Sequence, residues 1–260
     1  MVAVISKARS HPTRRSLRRD LLWATLDGFA ALVLAALIYA VQVRRVHAGT
    51  DSALIEMPRM LPSGGIWAYS WSQAVGWVAL AWCWMTLLLG ISLPLLARLR
   101  QSRLRGMVEH LHRCTSLTLI ALMLVHAVAL VWDTMGDGLA AVLVPWMTAY
   151  LPGRFPQALG IVSLYMAVLL GVTFYIRRRI GSSLWGMLHR YGVPAVYVLA
   201  VWHTLLYGSD IKDGSALRSV LWIVQIPVVG AFLARVWMSS HTRSHLAPPG
   251  RPMGRSSIHR

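Results

Sequence analysis

The chain has 260 residues, of which 56% are hydrophobic and only 13% are Asp, Glu, Lys or Arg. Soluble proteins average about 25% charged residues, and a soluble core of this size could not bury so much apolar surface, so we predict an integral membrane protein. The net charge of +17 raises the possibility of nucleic-acid binding. The distribution of the basic residues along the chain argues against it.

Six apolar segments approach the ~20 residues that a membrane-spanning helix needs. They are too long, and too weakly alternating, for strands of an outer-membrane barrel. The sequence therefore predicts an all-α integral membrane bundle of six transmembrane helices over residues 21–238. A basic segment (1–20) precedes it, and a basic tail (239–260), rich in Pro, Gly and Ser, follows and is expected to be disordered. The six spans are predicted at residues 22–43, 70–96, 113–132, 158–176, 190–208 and 217–235.

The basic residues are distributed unequally between the two sides of this bundle. Four segments that share one side hold 20 of the 26 Lys and Arg residues, and the other side holds six. The positive-inside rule then places both termini in the cytoplasm, with the protein in the inner (plasma) membrane. We interpret the charge as topology and contact with anionic lipid, and predict no nucleic-acid partner. The N-terminal "TRRSLRRD" is similar to a twin-arginine export signal, but no convincing cleavage site follows it, so an uncleaved first helix is expected.

Two of the predicted spans carry histidines at the same spacing. His112 and His126 are 14 residues apart, and so are His189 and His203. On a helix, 14 residues rise about 21 Å and stop about 40° short of four full turns, so each pair lies on nearly one face. The third and fifth spans run in the same direction. His112 and His189 are therefore expected at the cytoplasmic level, and His126 and His203 at the outer level.

Two cross-helix histidine pairs are suited to two b-type haems. Neutral imidazoles are good axial ligands of haem iron, whereas zinc would need four close ligands, or three and a water. We predict an inner haem on His112 and His189 and an outer haem on His126 and His203. Two stacked centres of this kind would carry electrons across the bilayer.

Other polar residues near these histidines were assigned from their positions. Arg113 and Arg190 directly follow the inner histidines and could bind haem propionates; the alternative is an interfacial positive-inside role. His110 would face away from His112 on a helix and is interpreted as an interfacial residue.

Cys83 and Cys114 form no CxxC pair and are predicted to be buried small hydrophobes. The apolar centre of the loop 133–158 predicts a short interfacial helix.

The sequence around the four histidines resembles the ferric-reductase-like transmembrane domain family. The stretches that carry the resemblance are "HLHRCTSLTLIALMLVH" and "RRRIGSSLWGMLHRYGVPAVYVLAVWH", the second followed by "YGSD". "PWMTAYLPG" (145–153) is similar to small bacterial members. The resemblance covers about residues 70–235 and implies a six-helix haem module, shared by NADPH oxidases, ferric reductases and a bacterial methionine-sulfoxide reductase system. It also implies His112 and His189 as inner ligands, with His126 and His203 as outer ligands.

The oxidase-type members carry an FAD- and NADPH-binding domain, and no GxGxxG turn occurs here. We therefore expect no FAD or NAD(P)H site in this chain, and a separate flavoprotein reductase or the quinol pool as donor. The expected function is ferric-reductase-like electron transfer to an outer-side acceptor of unknown identity. One alternative is a quinol-linked cytochrome b subunit of a redox complex. The other is a haem-free transporter or scaffold with packed histidines.

Overall fold

The computed structural model of the protein describes residues 14–56, 66–133, 138–148, 151–211 and 214–244. Within these ranges it contains eight α-helices and no strand, which confirms the all-α class. Most of the segment 1–20 and of the tail 239–260 lies outside the described residues. The helices are α1 (Arg14–His47), α2 (Ser52–Glu56), α3 (Ile66–Arg98), α4 (Ser102–Ala129), α5 (Leu139–Leu143), α6 (Arg154–Ile180), α7 (Ser182–Tyr207) and α8 (Ala216–Ser244).

The six predicted spans coincide with the long helices α1, α3, α4, α6, α7 and α8, except that 113–132 runs three residues past α4 and 190–208 one residue past α7. Among the described residues, five of these helices are long and apolar enough to cross a membrane, and α7 is not in that set. Helix α7 carries His189, Arg190 and His203. Its 26 residues still extend about 39 Å at 1.5 Å per residue, more than the ~30 Å of a hydrocarbon core. The chain is a multi-pass membrane protein, and its sixth crossing stays a prediction.

Two antiparallel helix hairpins, α3–α4 and α6–α7, make up the centre of the bundle. Each is closed by a short turn, with Arg100 at φ 56° in the first and Gly181 at φ 89° in the second. We name the end that holds both turns the basic end, because Arg98, Arg103 and the run 177–179 lie there. The other end is named the opposite end. The hairpin geometry decides which residues of neighbouring helices face each other.

Small side chains let α1 pack closely on the α3–α4 hairpin. Ala31 and Ala35 are fully buried, as is Val75 of α3. The outward face of α1 is apolar but exposed, with Leu22 at 63% and Phe29 at 71%, as expected for a surface in contact with lipid tails. Both cysteines are buried and free, which confirms their predicted burial.

A polar network joins the end of α7 to three other helices at the opposite end. Ser209 and Asp210, from the YGSD motif, follow the end of α7. The Tyr69 hydroxyl of α3 donates to Ser209 Oγ at 3.0 Å. Asp210 accepts from Ser52 Oγ at 2.5 Å and lies 3.5 Å from Arg45 of α1. The motif therefore connects α7 to α1, α2 and α3.

The predicted short helix in loop 133–158 is present as α5. Gln157 Nε2 donates to the Ala141 carbonyl at 3.0 Å, and the Tyr165 hydroxyl donates to the Leu143 carbonyl. These bonds attach α5 to α6 at the opposite end.

Candidate functional site

The structure brings the four predicted histidines together in the two predicted pairs. The ring centres of His112 on α4 and His189 on α7 are 6.0 Å apart, with an angle of 88° between the rings. The ring centres of His126 and His203 are 6.1 Å apart, with an angle of 79°. We name them the basic-end pair and the opposite-end pair. Local sequence does not require these approaches, because α4 and α7 are held facing each other by α3 and α6, on which both of them pack.

These separations are those of two imidazoles that share one metal ion. Two metal–nitrogen bonds of about 2 Å each, plus roughly 1 Å from each ring centre to its nitrogen, place the ring centres about 6 Å apart. Edge-to-face contacts between aromatic rings cover the same range of separation, so the hydrogen bonds of the ring nitrogens are needed as well to infer a metal. The geometry therefore fits a metal with two axial imidazole ligands at each pair.

Three of the four histidines have one ring nitrogen bound to a backbone carbonyl. His112 Nδ1 donates to the Thr86 carbonyl at 3.0 Å, and His126 Nδ1 donates to the Ser72 carbonyl at 2.8 Å. His203 Nδ1 donates to the Pro156 carbonyl at 2.8 Å. A carbonyl can only accept, so Nδ1 carries the proton and Nε2 is left as the ligand nitrogen. This bond is the usual support of a metal-binding histidine.

A glycine on the neighbouring helix makes room for each of these rings. A Cβ on Gly90 would lie 3.1 Å from His112 Cε1, and a Cβ on Gly76 or Gly160 would lie 2.9 Å from Nδ1 of His126 or His203 respectively. Each glycine stands four residues after the carbonyl that its histidine binds. A helical Cβ points back toward the N-terminal turn, so a missing Cβ uncovers that carbonyl.

A cavity of about 150 Å³ opens beside the opposite-end pair. Both of its histidines line it, together with residues of α3, α6 and Val142 of α5. Most of the other lining groups are apolar, including Leu80 and Leu164. An apolar cavity with two convergent imidazoles suits a large flat apolar cofactor with a metal at its centre, and α5 covers one side of it.

His189 is held differently from the other three histidines. Its ring stacks on Trp185, with centres 4.9 Å apart and planes at 21°. Its Nδ1 is buried and finds no hydrogen-bond partner among the residues that the structure describes.

The two arginines predicted to bind propionates differ in their surroundings. Arg113 faces α1, where its Nε lies 3.0 Å from Asp20 Oδ2, and its Nη1 lies 3.1 Å from Glu109. Arg190 is exposed at the basic end. Sequence reasoning missed Arg235 of α8, whose charge is near enough to interact with those of Arg190 and His189. A propionate role for Arg113 and Arg190 stays a prediction.

Asp20 is a second residue that sequence reasoning missed. It is fully buried, and besides Arg113 it contacts His110 Nδ1 at 3.2 Å. His110 therefore turns toward α1 and away from the basic-end pair, in agreement with its predicted facing.

Comparison with known proteins agrees with this site. The family described as "Ferric reductase like transmembrane component" matches residues 75–206, which is half of the chain and includes all four histidines. No curated protein and no solved structure matches the chain. Transmembrane domains of this family generally bind haem. The chain thus belongs to the ferric reductase-like transmembrane family, and its role is redox electron transfer in a membrane.

Proposed function

We propose that the chain binds two b-type haems, one at each histidine pair, and moves electrons between the two faces of the membrane. The observation that carries the proposal is the pair of 6.0 Å and 6.1 Å ring separations. The Nδ1 bonds of three histidines support it, because they direct Nε2 to the partner ring. When bound, each haem iron would accept and release one electron without a proton.

The residues of this chain determine what such a centre can do. Each histidine pair would hold a haem iron by two imidazoles, which would leave no open position on the metal for small ligands such as oxygen. The 14-residue spacing of each helix's histidines separates the two pairs by about 21 Å along the helix axis. Buried apolar residues between them, such as Leu119 and Leu122 of α4, keep water out of this region.

The proposed direction is from the cytoplasm outward, with the basic end cytoplasmic. The arginines at both hairpin turns support that orientation through the positive-inside rule. The donor would be a separate flavoprotein reductase or a membrane quinol. Quinol alone should reduce the purified protein if the quinol pool is the donor, whereas NAD(P)H with a flavoprotein should do so in the other case.

The test is a reduced-minus-oxidised absorption spectrum of the purified full chain, with haem measured per polypeptide. We expect two b-type haems. The double variant His112→Leu, His189→Leu should lose one of them. The double variant His126→Leu, His203→Leu should lose the other. His110→Gln is the matched control, because it lies on the same helix outside both pairs, and it should keep both haems. A colourless protein from haem-replete cells would overturn the proposal.

A further inference from the structure

The two histidine pairs are not equivalent, although the two hairpins that carry them are similar. Gly160 of α6 opposes His203 of α7. Fourteen residues after Gly160 stands Phe174, and fourteen residues before His203 stands His189. Leu170 packs on Gly192 in the same register. The position opposite His189 is therefore taken by a phenylalanine, where the other three histidines each have a glycine.

This replacement explains why His189 Nδ1 is without a carbonyl partner in the described part of the chain. The carbonyl equivalent to the three acceptors is that of Leu170, four residues before Phe174. That carbonyl accepts instead from Thr173 Oγ1 at 3.1 Å. The Cβ of Phe174 points back toward the turn that holds this carbonyl, whereas the equivalent position beside each of the other three histidines is a glycine without a Cβ.

Aromatic stacking and positive charge take the place of the missing bond. Trp185 lies against His189, and its ring centre is 6.0 Å from that of Phe174. The guanidinium carbon of Arg177 lies 4.2 Å above the Phe174 ring centre and 5.6 Å from that of Trp185. The ring of His189 is thus oriented by stacking on Trp185, which itself lies near a cation, and not by a backbone acceptor.

We propose that the basic-end centre has the higher midpoint potential of the two, which rests on the proposed function. A carbonyl bound to Nδ1–H increases electron donation by the imidazole and stabilises the oxidised metal. Both ligands at the opposite end have that bond, and at the basic end only His112 has it. The charge of Arg235, which acts on His189, also favours the reduced, less positive metal. A single electron on the protein therefore rests at the basic end until an acceptor withdraws it from the opposite end.

The first experiment is a potentiometric titration of the full chain in detergent, followed by optical absorption. The double variant His126→Leu, His203→Leu retains the basic-end centre alone. The double variant His112→Leu, His189→Leu retains the opposite-end centre alone. We expect the first variant to titrate at the higher potential. Equal potentials, or the reverse order, would overturn the inference but leave two haems in place. Absence of haem from the wild-type chain would instead contradict the proposed function.

A second set of variants tests the cause. Phe174→Gly should uncover the Leu170 carbonyl, let His189 donate to it, and shift the basic-end potential down toward that of the other centre. Phe174→Leu is the matched control, since it removes the ring but keeps the carbonyl covered, and it should not produce this shift. Equal shifts in both variants would show that the hydrogen bond is not the cause.

The reciprocal change provides a check that does not depend on Phe174. Gly160→Ala places a Cβ 2.9 Å from His203 Nδ1 and should push that nitrogen off the Pro156 carbonyl. Some haem should be lost from the opposite end, and in the chains that keep it the opposite-end potential should rise while the basic-end potential stays the same. An unchanged or lower opposite-end potential would count against the role of the carbonyl bond.

Discussion

Gly76 of α3 and His126 of α4 lie so close that a Cβ on the glycine would stand 2.9 Å from the imidazole Nδ1. The contact places the ring over the Ser72 carbonyl and fixes which nitrogen faces His203. Both the packing of the α3–α4 hairpin and the ligand nitrogen therefore depend on the absence of one methyl group.

Gly76→Ala should weaken haem binding at the opposite-end pair. The added methyl must displace the ring, at a cost of about 1–3 kcal/mol for an overpacked site, and the displacement breaks the bond to Ser72. We expect less haem per chain, lost from one centre only, as measured by haem extraction and absorption. Gly106→Ala on α4 is the control, because nothing lies within 4 Å of a Cβ there. Equal haem in the two variants would contradict this reading.

The helices could be predicted because their signals are local, and the histidine pairing could be predicted because two helices that run in the same direction carry the same spacing. Apolar length marks each span, and the 14-residue spacing of His112 and His126 places them on one face of a helix. Gly76 and Gly90 are also 14 residues apart. This matching spacing indicates that α3 is the antiparallel helix that packs against the two histidines of α4. Its meaning depends on the register of the hairpin, which local sequence does not determine.

The surroundings of Arg113 could not be predicted for a related reason. Its partner Asp20 is 93 residues away in sequence, and only the packing of α1 on α4 brings them together. An arginine next to a haem-ligand position suggested a propionate. In the structure, a fully buried carboxylate already lies within 3.0 Å of it.

Asp20→Asn should destabilise the protein strongly. The substitution leaves the Arg113 guanidinium, 18% exposed, without its buried counter-charge, and breaking such a pair costs about 3–5 kcal/mol. A lower thermal unfolding temperature in detergent would show this. Glu109→Gln is the control, because that partner of Arg113 is 50% exposed and an exposed pair contributes only about 0–1 kcal/mol. If both variants unfold at the wild-type temperature, the pair does not stabilise the fold.

The same assay, with haem content added, examines the propionate prediction for Arg113. Arg113→Gln removes the cation, whereas Asp20→Asn leaves it. If Arg113 also holds a propionate, only Arg113→Gln should lower the haem content of the basic-end pair. Equal haem retention in both variants would leave the arginine with the structural role alone.

The near-perpendicular rings predict the magnetic signature of both centres. The rings cross at 88° in one pair and 79° in the other. Perpendicular axial imidazoles leave two iron d orbitals close in energy, which gives the oxidised low-spin metal a strongly anisotropic electron paramagnetic resonance signal. We expect two such signals at cryogenic temperature, one lost with each pair of His→Leu substitutions. Signals typical of parallel rings would contradict the geometry.

The orientation of the bundle can be measured with single cysteines in a background without Cys83 and Cys114. Ser102→Cys lies at the basic end and Thr50→Cys at the opposite end, both at exposed positions. Because the positive-inside rule places the basic end in the cytoplasm, a membrane-impermeant maleimide added to intact cells should label Thr50→Cys only. Ser102→Cys should become reactive after the membrane is permeabilised. The reverse labelling pattern would show that the basic end faces outward. The basic-end pair would then be the one nearest an external acceptor.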